Sequence, residues 1–369
     1  MPNSRNTSPL IYDHSMEHFE DHEMATTAGL IEAMQKITTV TTKDYGRGVR
    51  AVHAKSHGVL IGKLTVVDDL PAELSQGLFA NAGTYDVIMR LSTIPGDILD
   101  DRVSTPRGMA IKILGVPGER LPGSESDMTQ DMVMVNGPAF LKSTAKDFLG
   151  SVKLLAATTD KAEGLKIAFS AVARGTEKII ESVGSQSPTL ISLGGHPETN
   201  VLGETYYSQA PILYGVHVAK VALFPVSPSL IALTRAPVNL ADKPNGLRDA
   251  VVRHFASDTG EWELRIQLCT DLKTMPIEDA AVQWPEDASP YVAVARILMS
   301  SQPAWNDARA AALDQGLSFN PWHGLASHRP LGSIMRVRKA VYQALAAERM
   351  KTNDQTAGEP TTIASLGIF

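Results

Sequence analysis

Three runs decide how the middle of this 369-residue chain folds: YDVIMRLS at 85–92, GMAIKILG at 108–115 and QDMVMVN at 130–136. Each is rich in Val, Ile and other apolar residues, and Gly, Pro and Asp punctuate the segments between them. That pattern predicts strands, and residues 49–66 read the same way. From Ser143 to about Val183 the pattern changes. Two stretches without proline carry apolar residues at three-and-four spacing, which predicts helices. Strand-like runs return at about 212–224, 228–235 and 261–270. Strands on both sides of a helical insertion predict an α+β fold built on an antiparallel sheet able to close into a barrel.

Outside that region, residues 1–40 read as an arm with a helical segment from about Met24 to Lys36. Beyond Trp284-Pro285 the chain is expected to turn helical and stay so to about Arg349, and KTNDQTAGEPTTIASLGIF at 351–369 has the composition of a flexible tail. Hydrophobic residues at 43% and charged residues at 20% place the chain among soluble globular proteins. A net charge of -6 argues against non-specific nucleic-acid binding. The single cysteine, Cys269, excludes an intrachain disulfide framework and a thiolate metal cluster; its apolar surroundings predict an inert buried thiol. No apolar run approaches the roughly 20 residues of a membrane span. The opening MPNSRNTSPLIYDH lacks the basic and apolar order of a secretory signal, so a cytoplasmic location is expected.

Four stretches carry candidate chemistry. In MRVRKAVYQALAAERM, Met335 to Met350, Arg338, Tyr342 and Arg349 are spaced by four and seven residues. A helix gathers them within roughly 40° of one face. A tyrosine between two guanidinium groups sits in an electropositive setting, and tyrosinate is a known haem ligand. In RAVHAK, Arg50 to Lys55, His53 and Lys55 share strand parity. The lysine is expected to keep the imidazole neutral and ready to accept a proton. Arg50 has the opposite parity, so the strand must begin after Arg50 or bulge if both face one ligand. Arg90 and Ser92 share a strand face and suit an anionic ligand such as a carboxylate, with Arg107 to Lys112 as a companion strand. Asn136, before Gly137-Pro138, can hold its carboxamide at a cavity mouth. Separately, His14, His18 and His22 would form a histidine stripe on a helix, able to bind a metal but more simply a solvated arm.

In order, RAVHAK, MRLSTIPG, RGMAIK, VNGPAF, WELRIQL, QWPE with VARILMSSQP, LSFNPW and RVRKAVYQALAAER resemble the haem catalase superfamily, from about Arg50 to Arg349. The likeness is strongest to the short catalase-related haem peroxidases. It implies a catalase-type closed antiparallel barrel of about eight strands, with a helical insertion and a C-terminal helical region carrying the proximal ligand. The implied boundaries are an arm at 1–40, the haem-binding barrel at 41–285, the helical region at 286–352 and the tail at 353–369. The implied cofactor is haem b, with Tyr342 as axial iron ligand supported by Arg338. Arg50, Arg90 and Arg349 would hold propionates, and Val52 and Phe140 would contact the cofactor. His53, Ser92 and Asn136 would form the catalytic side.

The implied activity is consumption of hydrogen peroxide, reduced by small organic donors or a second peroxide. Organic hydroperoxides are an alternative substrate class, with rearrangement as in catalase-like allene oxide synthases. Those carry threonine before the histidine, where this chain has Val52. A haem sensor or store without turnover is the remaining rival. A homo-oligomer is allowed, with neither nucleic acid nor membrane as partner. Departures from the family are Ser56 after His-Ala-Lys, and Leu141 after Phe140 in place of a second aromatic. Met109 and Leu114 also stand in a strand that usually carries aromatics, which together predict a wider access channel.

Overall fold

The computed structural model describes residues 8–158, 196–355 and 358–367. Strand β2 (Thr84–Thr93) pairs antiparallel with β1 (Ser56–Val66) on one side and β3 (Arg107–Leu114) on the other. The sheet continues through β4 (Thr129–Val135), β5 (Tyr206–Tyr207), β6 (Ile212–Tyr214), β7 (His217–Pro225), β8 (Gly260–Leu268) and β9 (Val292–Met299). Its order is β5-β4-β3-β2-β1-β9-β8-β7-β6, and β5 also pairs with β7. That pairing closes a ring of eight antiparallel strands, with β6 as a hairpin partner of β7. Closure removes exposed sheet edges.

Period-two alternation sends one set of side chains inward and the other outward. Leu60, Val87, Met89, Ile111, Trp262 and Leu264 share the main core. On the opposite face, Val59, Ile88 and Leu114 pack with Leu313, Leu317 and Phe319 in a second cluster. Strand β2 is therefore buried on both faces from Val87 onward. Helix α1 (Glu23–Tyr45) packs against α2 (Ala145–Thr158) and α4 (Ser333–Thr352), through Leu30, Ala33, Val152, Val337 and Val341; α3 (Gly246–Phe255) lies against β1. No helix among the described residues is long and apolar enough to cross a membrane.

Several expectations are corrected. Residues 228–235 form no strand: Pro228 opens a short helix, Pro228–Ile231, because its fixed φ suits a helix start and it has no N–H for a ladder. Val292–Met299, expected to be helical, completes the barrel between β1 and β8. In it Arg296 and Leu298 are exposed while Ala295, Ile297 and Met299 are buried, an alternation masked by small residues. Helix α1 runs beyond Lys36 to Tyr45 and ends at Gly46, whose φ of 64° is the left-handed region glycine tolerates. No single helix carries His14, His18 and His22; the first belongs to a 3-10 turn and the last precedes α1. The arm is tied down, with Leu10 N–H donating to Cys269 O at 2.8 Å and Glu17 paired with Arg336 at 3.0 Å. Cys269 is buried as expected, and burial pushes its thiol up to about 12. The tail is docked: Ile363 is buried in the outer cluster and Glu359 bonds to β3 and β4. The helical expectation for 159–183 lies outside the described residues.

Candidate functional site

His53 stands before the first strand rather than within it, since β1 begins at Ser56. Its φ of 55° is in the left-handed region, which a histidine rarely adopts. Two bonds hold it there: its N–H donates to Ile94 O at 2.6 Å, and its carbonyl accepts from Arg90 Nη2 at 2.8 Å. The β1–β2 register shifts between Ser56↔Ser92 and Gly58↔Leu91, leaving His57 as a bulge. The first of the two alternatives posed for Arg50 and His53 to meet is thus the one found: the strand begins after both, and the bulge lies beyond them. Ser92 Oγ lies 3.0 Å from His53 Nδ1. The ring rests against Gly108, where a Cβ would come within 2.5 Å of Nδ1 and 2.9 Å of Ser92 Oγ.

Burial, then the charges of Arg90, Arg338 and Arg50, push His53 down to about 3. Its accessible edge faces a deep cavity, and its imidazole is neutral at physiological pH. Lys55, expected to cause this, does not. Its ammonium is 2.7 Å from Asp101 Oδ1 and donates to Leu99 O at 2.6 Å, in a separate buried cluster.

The cavity has a volume of about 390 Å³. Helix α4 brings Tyr342 into its lining, half-buried, and the phenol makes no hydrogen bond among the described residues. Apolar walls come from Val52, Ala110, Val133, Phe319 and Val341, and Met109 also lines the space. Arg50, Arg90 and Arg349 line it as well. They converge on residues 314–318, the end of a π-helix (Ala310–Gln315) and the residues that follow it. Arg90 Nε donates to Asp314 Oδ1 at 2.6 Å, and Arg50 Nη1 lies 3.4 Å from the same oxygen. Arg50 and Arg349 each donate to Leu317 O at 2.9 Å. Burial and mutual repulsion push Arg50 well below its ordinary value and Arg349 down to about 10. Against its own burial penalty, Asp314 is held below the usual carboxylate range by Arg90 and Arg50.

The cavity fits a haem. Arg50 and Arg90 share the Asp314 carboxylate, Arg349 bonds beside them to Leu317 O, and the three guanidinium groups have capacity for further anions, such as propionates. A neutral imidazole and an unpartnered phenol oxygen line the same largely apolar space, and Gly108 makes room for the imidazole.

Three expected residues do not line the cavity. The carboxamide of Asn136 accepts from Arg107 N–H at 2.8 Å and is 2.6 Å from His196 Nε2, with Glu204 as a further partner. Phe140 packs on Phe148 with ring centroids 4.9 Å apart. The Arg338 guanidinium lies over Phe140 at 5.4 Å, and its charge still reaches His53. Sequence reasoning missed Asp314, Phe319, His323 and Glu359. The usable signal for Asp314 was a lone carboxylate in the run AAALDQGLSF.

No family model and no curated protein sequence matches this chain. Solved catalases do match in structure. Catalase A from Saccharomyces cerevisiae gives a TM-score of 0.56 at 17% identity, over 85% of this chain and 63% of that one. A fungal catalase gives 0.58 at 18% identity, over 85% and 61%. A bacterial catalase gives 0.55 at 13% identity, over 85% and 59%. At these identities the likeness shows a catalase-type fold. The chain spans between 59% and 63% of the length of these three structures.

Proposed function

We propose that the chain binds haem b between His53 and Tyr342 and consumes hydrogen peroxide, as a catalase-related peroxidase using small organic donors. The observation that carries this reading is one cavity lined by His53, Ser92, Tyr342 and three arginines. Tyr342 Oη would ligate the iron, Arg50, Arg90 and Arg349 would take the propionates, and Val52 would contact the macrocycle. Bound haem would supply the redox chemistry of peroxide cleavage.

The chain's own residues supply position and proton transfer. With Nδ1 held by Ser92, His53 Nε2 is the ring atom left to accept a proton from peroxide and return it to the leaving oxygen. Burial, with the neighbouring cations, keeps the imidazole unprotonated beforehand. Asn136 acts one step removed in this proposal: it fixes the backbone at Arg107, beside the Gly108 that seats His53. Arg338 contributes charge toward His53 and braces Phe140.

The test is an absorption spectrum with a steady-state peroxide assay. The purified chain should show ferric haem with tyrosinate ligation, and Tyr342→Phe should lose that signature or most of the haem. His53→Ala should keep the haem while peroxide turnover falls at least about 10²-fold. An unchanged spectrum in Tyr342→Phe removes Tyr342 as the ligand, and parental turnover in His53→Ala removes the proposed proton transfer.

A further inference from the structure

The same outer barrel face carries a second polar cluster that peroxide cleavage does not use. Register places Ser92, Gly108 and Val135 on one rung, Arg90, Ala110 and Val133 on the next, and Ile88, Lys112 and Asp131 on a third. The third rung lies four residues from the first, roughly 13 Å along the strands. There the fully buried Lys112 donates to both oxygens of Asp131, at 2.7 and 2.9 Å, and to a carboxylate oxygen of Glu359 in the docked tail. Thr129 Oγ1 donates to that same Glu359 oxygen at 2.9 Å. His323 Nδ1 is 3.2 Å from the other Glu359 oxygen and 3.6 Å from Asp131, at ion-pair range. Asp127, His323, Gly358 and Glu359 all line the cavity.

One carboxylate, delivered by the tail, is therefore held by an ammonium and a hydroxyl, with an imidazole at ion-pair range. The charges balance while it is in place. Lys112, Arg120 and His323 stand against Asp127, Asp131 and Glu359; burial disfavours the His323 cation, but the carboxylates beside it raise it to about 9. Without Glu359, three cations face two anions. An independent observation points the same way. Arg120 lies near both Asp131 and Glu359, and its Nε and Nη1 are buried with no hydrogen-bond partner. Asp131, His323 and Glu359 offer ligand atoms within 4.8 Å of one another, but the Lys112 ammonium already bonds both carboxylates, which disfavours a metal ion.

We propose that Lys112, Thr129 and His323 form a carboxylate-binding subsite at the far end of the cavity, closed by Glu359 and open to an organic acid when the tail lifts. This extends the peroxide reading by giving the cavity an organic-acid ligand, and rests on that reading only for any chemistry after the acid has bound. Because the tail is anchored mainly by one carboxylate and a small apolar cluster, an organic acid has few contacts to displace.

The test is calorimetric titration of the haem-loaded full chain with dodecanoate and with dodecanol. With haem seated, its propionates cannot supply the signal. Glu359→Ala should bind dodecanoate at least about tenfold more tightly than the parent, a difference of about 1.4 kcal/mol, while dodecanol gains nothing. Equal dodecanoate affinity in parent and variant, or an equal gain for dodecanol, overturns the subsite. Should Glu359→Ala lose its fold, Glu359→Gln keeps the shape of the plug without its charge, and millimolar acetate should raise its melting temperature but not the parent's. No acetate shift also overturns it. Calorimetry reads binding without turnover, so its failure leaves the haem spectrum standing. A missing haem spectrum would in turn leave the titration readable on the unloaded full chain.

Discussion

At the residue scale, Asp314 is the side chain on which the arginine cluster depends. It is buried, accepts from Arg90 and sits beside Arg50. Removing one partner of a buried ion pair leaves the other charge uncompensated. Asp314→Asn should therefore destabilise the haem-free chain by about 3 kcal/mol, measured by denaturant unfolding. A loss below about 0.5 kcal/mol would mean that backbone carbonyls, Leu317 O for Arg50 and His53 O for Arg90, already satisfy both guanidinium groups. His53, Ser92, Arg90 and Tyr342 were singled out in the sequence by residue type and local spacing, and all four line one cavity. The cause of the neutral imidazole was not. Assigning it to Lys55 assumed a regular strand through 53–55, whereas His53 lies in a left-handed turn and Lys55 belongs to Asp101.

Among the elements, β3 holds the most sensitive position. Gly108 is needed for close approach, not for an unusual backbone angle, since a side chain there would occupy the space of the His53 ring. Gly108→Ala should fold, because the barrel registers on both sides of β3 remain, yet peroxide turnover should fall at least about tenfold as the imidazole shifts from its working position. Parental turnover with an unmoved His53 resonance in nuclear magnetic resonance would show that the ring has room to spare. The strands at β2 to β4 were legible as Val- and Ile-rich runs punctuated by Gly, Pro and Asp, and α4 from its spacing. Strand β9 was not, because alanines on both faces blur the period. The docking of the tail was not legible for a related reason. Its polar composition lacks a strong apolar face, and its docking depends on one carboxylate meeting cations distant in sequence.

For the whole molecule, several histidines are buried in the neutral form, and they set how stability depends on acid. Burial is the leading cause that pushes His53 and His196 down to about 3 and His328 to about 4. In the unfolded chain each titrates near 6.5. Between those values the unfolded state binds more protons, so stability is greatest above about pH 6.5 and falls as pH drops toward 3 to 4. Each such group contributes a slope of up to about 1.4 kcal/mol per pH unit. His323 works in the opposite sense: its stabilisation is full below pH 6.5 and is lost as pH rises through about 9. Melting temperature should therefore fall on acidification from pH 7 to 4.5, and a flat profile there would show that these imidazoles take up protons without unfolding. The sequence by itself determined most of the strands, helix α4 and the residue types at the cavity, since these derive from short-range periodicity and from chemistry carried by single side chains. Only the tertiary structure decided that β5 closes the ring, that Asp314 joins Arg50 and Arg90, that Asn136 turns to Arg107, and that Glu359 reaches Lys112. Each of those pairings links residues far apart in the chain, and its partner is chosen by burial and charge compensation in the folded state rather than by any local pattern.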